Sequence, residues 1–586
     1  MMRLLSVPRA WLVPLLALEA QLALALPALQ QQQPLQSDDG VSSNGAVACE
    51  SSICSKIGID LMRRGGNAAD AMVGTTLCVG VIGMYHSGIG GGGFMLVRSP
   101  AGEYEVVDFR ETAPAAAHKH MYDGNNEGAL FGGLAVAIPG ELRGLEYLHQ
   151  KYGSLPWEVV VTPAVHVARD GFPVSEDLVK FMTYNPDTVR LLVEDPVWAQ
   201  DFAPNGTLLQ LGDTITRARY ADTLEQVAKH GADVFYSGPI AESMVEAIQA
   251  SNGTATLADF AGYAAIVRAA VQGQYRGRRL FATGAPSSGA VTLSVLQTLD
   301  EYPRPDATDA ADADADTNVT THRFDEALRF GYGARTHLGD PAYVAGAAAY
   351  EAAMLTAAHA ATTRRQIRDD RTLPVAAYNP AGSFASPSHG TSHVSTADRS
   401  GLAVSSTTTI NTIFGSRLMD AASGVILNNE MCDFSIPGAR DAFGYPPSPG
   451  NYARPGKRPL SSTTPLMAEE WDPTSGSWRL ALVTGAAGGS RIISATAQVV
   501  WHVLEHGLGI AAALAMPRLH DQLAPNQVVF EAAYDNRTVT ALAARGHHVA
   551  WTAEYASAAQ GIQILPGGRF DAAGEPRQKN SGGEVF

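Results

Sequence analysis

The clearest patterning in the chain lies between His389 and Ile410. Thr391, His393, Ser395 and Ala397 alternate with Ser392, Val394 and Thr396, which is the period of a strand; Asp398–Gly401 reads as a turn and Leu402–Ile410 as a second β-rich run. A three-residue loop, Arg399–Gly401 with Gly401 left-handed, fixes the register of this predicted hairpin and sets Thr391 opposite Thr409. Opposed residues share a face, so the two hydroxyls come within hydrogen-bonding reach. Nearer the amino end, Ile57, Ile59, Leu61 and Met62 follow a helical spacing, Gly65 and Gly66 stop that helix, and Asn67 caps a second over Ala68–Val81. The antiparallel pair brings Cys54 and Cys78 to one level. Phe94–Arg98, a turn at Ser99–Gly102 and Glu105–Phe109 predict a β-hairpin, and Ile492–Leu508 predicts a helix.

Residues 1–25 read as a secretory signal: Arg3 and Arg9 precede an apolar stretch that ends in Ala23, Leu24 and Ala25. Pro14, Glu19 and Gln21 inside that short stretch argue against a membrane anchor. The expected destination is the secretory pathway, with a secreted or vacuolar product. A polar leader, 26–44, follows, and order is expected from about Gly45. An oxidising route favours a Cys54–Cys78 disulfide over two buried thiols, while Cys49 and Cys432 have no comparable geometric argument. Sequons at Asn205, Asn252, Asn318 and Asn536 agree with that route.

With 42 Lys+Arg against 58 Asp+Glu, the formal charge of −16 excludes a general nucleic-acid binder. A chain that is 46% hydrophobic and 17% charged is globular. Asp300–Thr317 alternates Asp312, Asp314 and Asp316 like a calcium loop, but has Thr317 where the loop needs Gly and Arg323 where it needs Glu. It is expected to be a solvated acidic loop. Gly88, Gly90 and Gly93 match a dinucleotide-binding fingerprint with Asp108 at the ribose position, yet a hairpin follows where that site needs a helix. A zinc pair at His389 and His393 is equally weak, because the intervening residues favour a strand.

His389 to Ser395, Ser406 to Asn411, Ser423 to Met431 and Pro455 to Ser462 together resemble the signature of the γ-glutamyltranspeptidases. Cys54 to Gly58, His86 to Gly93, Asp108 to Glu111, Pro139 to Gly144 and Gly485 to Gly489 resemble it in the same order, from about Gly45 to the carboxyl end. The resemblance implies an α+β N-terminal-nucleophile hydrolase, a four-layer αββα sandwich made as a precursor. Self-cleavage between Gly390 and Thr391 would leave a large subunit, 45–390, intertwined with a small catalytic subunit, 391–586, as a heterodimer.

Residue by residue, the resemblance makes Thr391 the nucleophile, its freed amine the base and Thr409 the group that orients the hydroxyl. Gly488 and Gly489 supply the oxyanion hole. Arg110, with Ser461 and Ser462, receives the α-carboxylate of a glutamyl group, and Asn411, Glu430 and Asp433 hold its α-ammonium. The implied substrates are glutathione and related γ-glutamyl compounds, with water, amino acids or dipeptides as acceptors and no metal or cofactor. Cys432 departs from the family pattern beside the ammonium ligands, and 441–454 occupies the position of a lid in some relatives. The rival readings are an acylase for another amide, such as a glutaryl side chain, and a non-catalytic secreted glycoprotein with the same fold.

Overall fold

The hairpin expected at 391–410 is the centre of a seven-stranded sheet. A computed structural model describes residues 44–304, 310–381, 390–439, 447–552 and 557–586, without the side chains of 310–316. In order across this first sheet run Gly582–Val585, Gly45–Cys49, Gly390–Asp398, Ala403–Asn411, Gly92–Arg98, Tyr104–Phe109 and Ile266–Ala269. The second sheet has six strands, ordered Phe570–Ala573, Ala558–Ile564, Ser477–Ala487, Leu466–Asp472, Arg278–Ala282 and Val271–Tyr275. Neighbours are antiparallel throughout both.

The two sheets meet through small side chains, Ala46, Ala48, Ala397 and Ala403 facing Met467, Val483 and Ile562. Alternation then sends Val394 and Val404 outward, into a core shared with the helices Ser52–Arg63, Ala68–Ile82, Trp157–Asp170 and Ala218–His230. The outer face of the second sheet packs on Gly289–Asp300, Ala310–Arg335 and Arg491–Leu504. Helices, sheet, sheet, helices make the four αββα layers.

The hairpin has the expected register: Thr391 faces Thr409, Gly401 is left-handed at φ 86°, and the pairing shifts by one residue between Thr409 and Asn411. Asn67 closes a capping box with Asp70, and Cys54 and Cys78 form a disulfide with their Cα atoms 5.4 Å apart. Cys49 and Cys432 are free thiols. Gly92–Arg98 and Tyr104–Phe109 form the hairpin that displaces the dinucleotide reading. The glycine run before it serves packing: a Cβ on Gly91 would stand 1.9 Å from the Thr409 carbonyl oxygen.

One expectation is corrected. The segment read as an acidic loop over 300–317 is helical from Ala310, the first residue of a helix that runs to Arg335. Alanine at every second position gives strong helix propensity, and acids in the first turns suit the positive end of the helix dipole. Asn205, Asn252 and Asn536 are exposed, and Asn318 is half-buried within that helix. The signal segment, His389 and 441–446 of the lid region lie outside the described residues; Asn451, further along that region, is tied down, its Nδ2 donating to the Asp433 carbonyl at 2.6 Å. Among the described residues no helix is long and apolar enough to cross a membrane.

Candidate active site

Thr391 is the second residue of the strand Gly390–Asp398 and is buried, on the face that meets the second sheet. Its amide bond to Gly390 decides what Thr409 does. The Thr409 hydroxyl accepts from the Asn411 N–H at 2.7 Å and donates to the Gly390 carbonyl at 2.5 Å. The two threonines are opposed as expected, but the Thr409 hydroxyl points its proton at the carbonyl that precedes Thr391. The one-residue shift after Thr409 and the left-handed backbone of Asn411, φ 77°, turn the Asn411 N–H back onto it.

A small cavity opens beside Thr391 and Thr409, and its walls include Arg110, Glu430, Asp433, Ser461, Ser462 and Gly489. Arg110 extends from the end of the strand Tyr104–Phe109. Its Nη1 donates to Glu430 Oε1 and its Nη2 to Asp433 Oδ2. The guanidinium and the two carboxylates expected to take opposite ends of a zwitterion are thus paired with each other. Burial opposes the Arg110 charge, yet Glu430, Asp433 and Glu111 outweigh it and raise its pKa. Burial also pushes the Glu430 carboxyl well above its ordinary range and Glu111 up to about 8.

Asn411 Nδ2 donates to Asp433 Oδ1 at 3.1 Å and to the Asn429 carbonyl at 3.2 Å, which joins it to the same cluster. It also reaches Cys432 Sγ at 3.1 Å. Burial and the neighbouring Asp433 and Glu430 push the Cys432 thiol up, so it adds no negative charge beside them. Ser461 is buried with its N–H on the Pro286 carbonyl, 2.7 Å away. Ser462 Oγ accepts from Arg335 Nη2 at 3.0 Å. Burial pulls Arg335 down to about 10, and its Nε holds Ser288 Oγ at 3.0 Å.

Gly488 and Gly489, φ 126° and 60°, connect the strand Ser477–Ala487 to the helix Arg491–Leu504. Both conformations lie where a side chain is strained, and they aim the start of a helix, its positive end, at the Thr391 side of the sheet. Gly488 belongs to a second, larger opening on Thr391, whose described walls also include His86, Lys180, Phe181, Arg491 and Gln578. Thr391 therefore stands between a charged cavity and a wider, mixed one.

Sequence reasoning passed over Glu111 and Arg335. Glu111 is adjacent to Arg110, with Oε2 3.6 Å from Nη1, and its place in the quoted Asp108 to Glu111 motif was the available signal. Arg335 sits on the last turn of a helix remote in sequence, and nothing in the pattern around it pointed to Ser462. His393, the discarded metal candidate, spends its ring on Thr407 and Ser395, with burial lowering its pKa to about 3.

The family model described as gamma-glutamyltranspeptidase matches residues 54–585. A protein of Arthroderma benhamiae called glutathione hydrolase proenzyme is 49% identical, with 92% of each chain covered. One of Aspergillus flavus called glutathione hydrolase is 48% identical over 92% of this chain and 89% of its own. Among solved structures, the cephalosporin acylase of Bacillus halodurans superposes with a TM-score of 0.80 over 95% of this chain and 98% of its own; at 24% identity it shows the shared fold alone. On the extent of the family match and the identity to these relatives, the chain belongs to the γ-glutamyltranspeptidase family.

Proposed function

We propose that this chain is a γ-glutamyl acyltransferase and glutathione hydrolase that cuts itself between Gly390 and Thr391. The single observation that carries the reading is Thr391 itself, set between the Arg110, Glu430 and Asp433 cluster and the glycine pair at the start of a helix. In the first step the Thr391 hydroxyl attacks the Gly390 carbonyl carbon, whose oxygen already receives a proton donor from Thr409. As the ester forms the Gly390–Thr391 C–N bond breaks and the Thr391 amine leaves with the hydroxyl's proton; water then hydrolyses the ester and Gly390 departs as a carboxylate.

That amine, ordinarily of pKa about 7.7 to 8.0, accepts the hydroxyl proton as Thr391 attacks the γ-carbonyl of the substrate. The Gly488 and Gly489 N–H groups face the oxygen on which charge develops. The leaving amine of cysteinylglycine takes the proton, and the γ-glutamyl ester passes to water, an amino acid or a dipeptide. The glutamyl α-carboxylate takes Arg110, with Ser461 and Ser462 alongside, and the α-ammonium takes Glu430, Asp433 and Asn411. The two charges of the substrate thus replace the partners that Arg110, Glu430 and Asp433 give one another. Every step uses groups of the chain itself. Lys180 and Arg491 on the wider side suit the carboxylate of a departing or accepting peptide.

A glutaryl acylase has no use for ammonium ligands, so the carboxylates on Arg110 favour the amino-acid substrate. A chromogenic γ-glutamyl anilide, offered to the wild-type protein and to Thr391→Ala, tests the proposal. Turnover by the wild type alone, with a small subunit whose amino-terminal residue is Thr391, is expected. Equal turnover by both removes Thr391 as nucleophile, and an uncut, active wild-type chain removes self-processing.

A further inference from the structure

Away from both openings on Thr391, three buried side chains converge that the reaction does not use. His322 and Glu326 lie four residues apart on one face of the helix Ala310–Arg335, and His547 follows the helix Asn536–Ala544. One ligand atom from each falls within 4.8 Å of the others. His322 Nδ1 is 2.8 Å from His547 Nε2, which is 3.8 Å from Glu326 Oε1.

With both rings neutral and Asp325 ionised, the protons do not fit this arrangement by themselves. His322 Nε2 is 2.7 Å from the Arg368 carbonyl, which can only accept, so Nε2 carries the hydrogen and Nδ1 presents a lone pair. His547 Nε2 must then carry a hydrogen to meet it. That leaves a lone pair on His547 Nδ1, 2.9 Å from Asp325 Oδ2. Neither His547 Nδ1 nor either Asp325 oxygen has a hydrogen bond of acceptable geometry, and Asp325 is wholly buried. Asp325, Glu326 and Asp521 lie around one guanidinium, Arg329, whose Nη1 is 2.6 Å from Asp521.

We propose that His322, Glu326 and His547 bind one divalent transition-metal cation of the zinc class. A cation between the rings takes the lone pairs of His322 Nδ1 and His547 Nε2 and moves the His547 hydrogen to Nδ1, where it meets Asp325. Two imidazoles and a carboxylate are a borderline-soft donor set that suits zinc rather than calcium or magnesium. Tetrahedral ligation needs the two nitrogens roughly 3.3 Å apart, a small opening from the present contact. The outer shell is already in place: the Arg368 carbonyl behind His322, Asp325 behind His547, and Thr372 and Tyr378 donating to Glu326 at 2.6 and 2.9 Å. His322 and Glu326 precede the Gly390–Thr391 junction and His547 follows it, so the ion would clip the two proposed subunits together.

Metal content of the full-length protein, purified without chelators and read by inductively coupled plasma mass spectrometry, tests this directly. One zinc per chain is expected. Removal by a chelator should lower the melting temperature by several degrees, zinc should restore it, and cobalt refilling should give the visible absorption of a tetrahedral site. Glu326→Gln and His547→Gln should each lose the metal and the response to zinc. The proposal is overturned if wild-type protein holds under about a tenth of an equivalent of any such metal and its melting temperature ignores added zinc. It is equally overturned if both variants retain the wild-type metal content.

Discussion

Thr409 has one hydroxyl proton, and in the uncut chain it is committed to the Gly390 carbonyl. Thr409→Val keeps the shape and removes the donor. Loss of one hydrogen bond to a developing oxyanion slows such a step about a hundredfold. A time course of precursor disappearance on denaturing gels checks this, and processing at the wild-type rate would show that the hydroxyl does not polarise that carbonyl. Glu141 acts one position away. It is buried, accepts from Thr408 Oγ1, and burial raises its pKa from 4.5 to about 7. Because the folded form holds the proton more tightly, its contribution to stability is complete below about pH 4.5 and is lost as pH rises through 7. Glu141→Gln does not titrate, so the variant should gain on the wild type between pH 5 and 8, by on the order of 2 kcal/mol. Melting temperatures across that range decide it; a constant difference would mean that Glu141 is ionised throughout.

At the scale of elements, local patterning was legible wherever a turn fixed a register. Gly401 set the pairing of the two threonines, and Gly65, Gly66 and Asn67 set the helical hairpin that brings Cys54 to Cys78. That bridge spans 24 residues of sequence. Replacing both cysteines with alanine should cost about 3.5 kcal/mol in reversible denaturant unfolding, by the loop-closure estimate. A loss near zero would mean that the helix pair is held by packing alone. The acidic segment was misread because Pro303, Pro305 and the aspartates drew attention from the alanines between them. Arg110, Glu430, Asp433, Ser461, Ser462, Gly488 and Gly489, which line the two openings on Thr391, were named through family likeness, but their mutual pairing was not. Arg110 meeting Glu430 and Asp433 is a contact across more than 300 positions, made by sheet order rather than by any local signal.

For the whole molecule, the order of strands governs what cleavage can do. In the first sheet Gly45–Cys49 lies between Gly582–Val585 and Gly390–Asp398, and Ala403–Asn411 pairs with Gly92–Arg98. In the second, Leu466–Asp472 pairs with Arg278–Ala282. Four ladders of backbone hydrogen bonds therefore cross between the residues before and after the junction. The cut fragments should co-elute from a sizing column in native buffer and separate only in denaturant. Separation without unfolding would contradict the interleaved sheets.

The Asn44 N–H donates to the Phe586 carbonyl at 2.9 Å, so the two ends of the folded body touch. A rearranged gene that reads from Thr391 to Phe586, crosses a short joint to Asn44 and finishes at Gly390 would therefore encode the same strands in the same places. Once its initiator methionine is removed, such a polypeptide begins with the threonine amine exposed. It would make chemistry independent of maturation, with no peptide bond left to break before the first turnover.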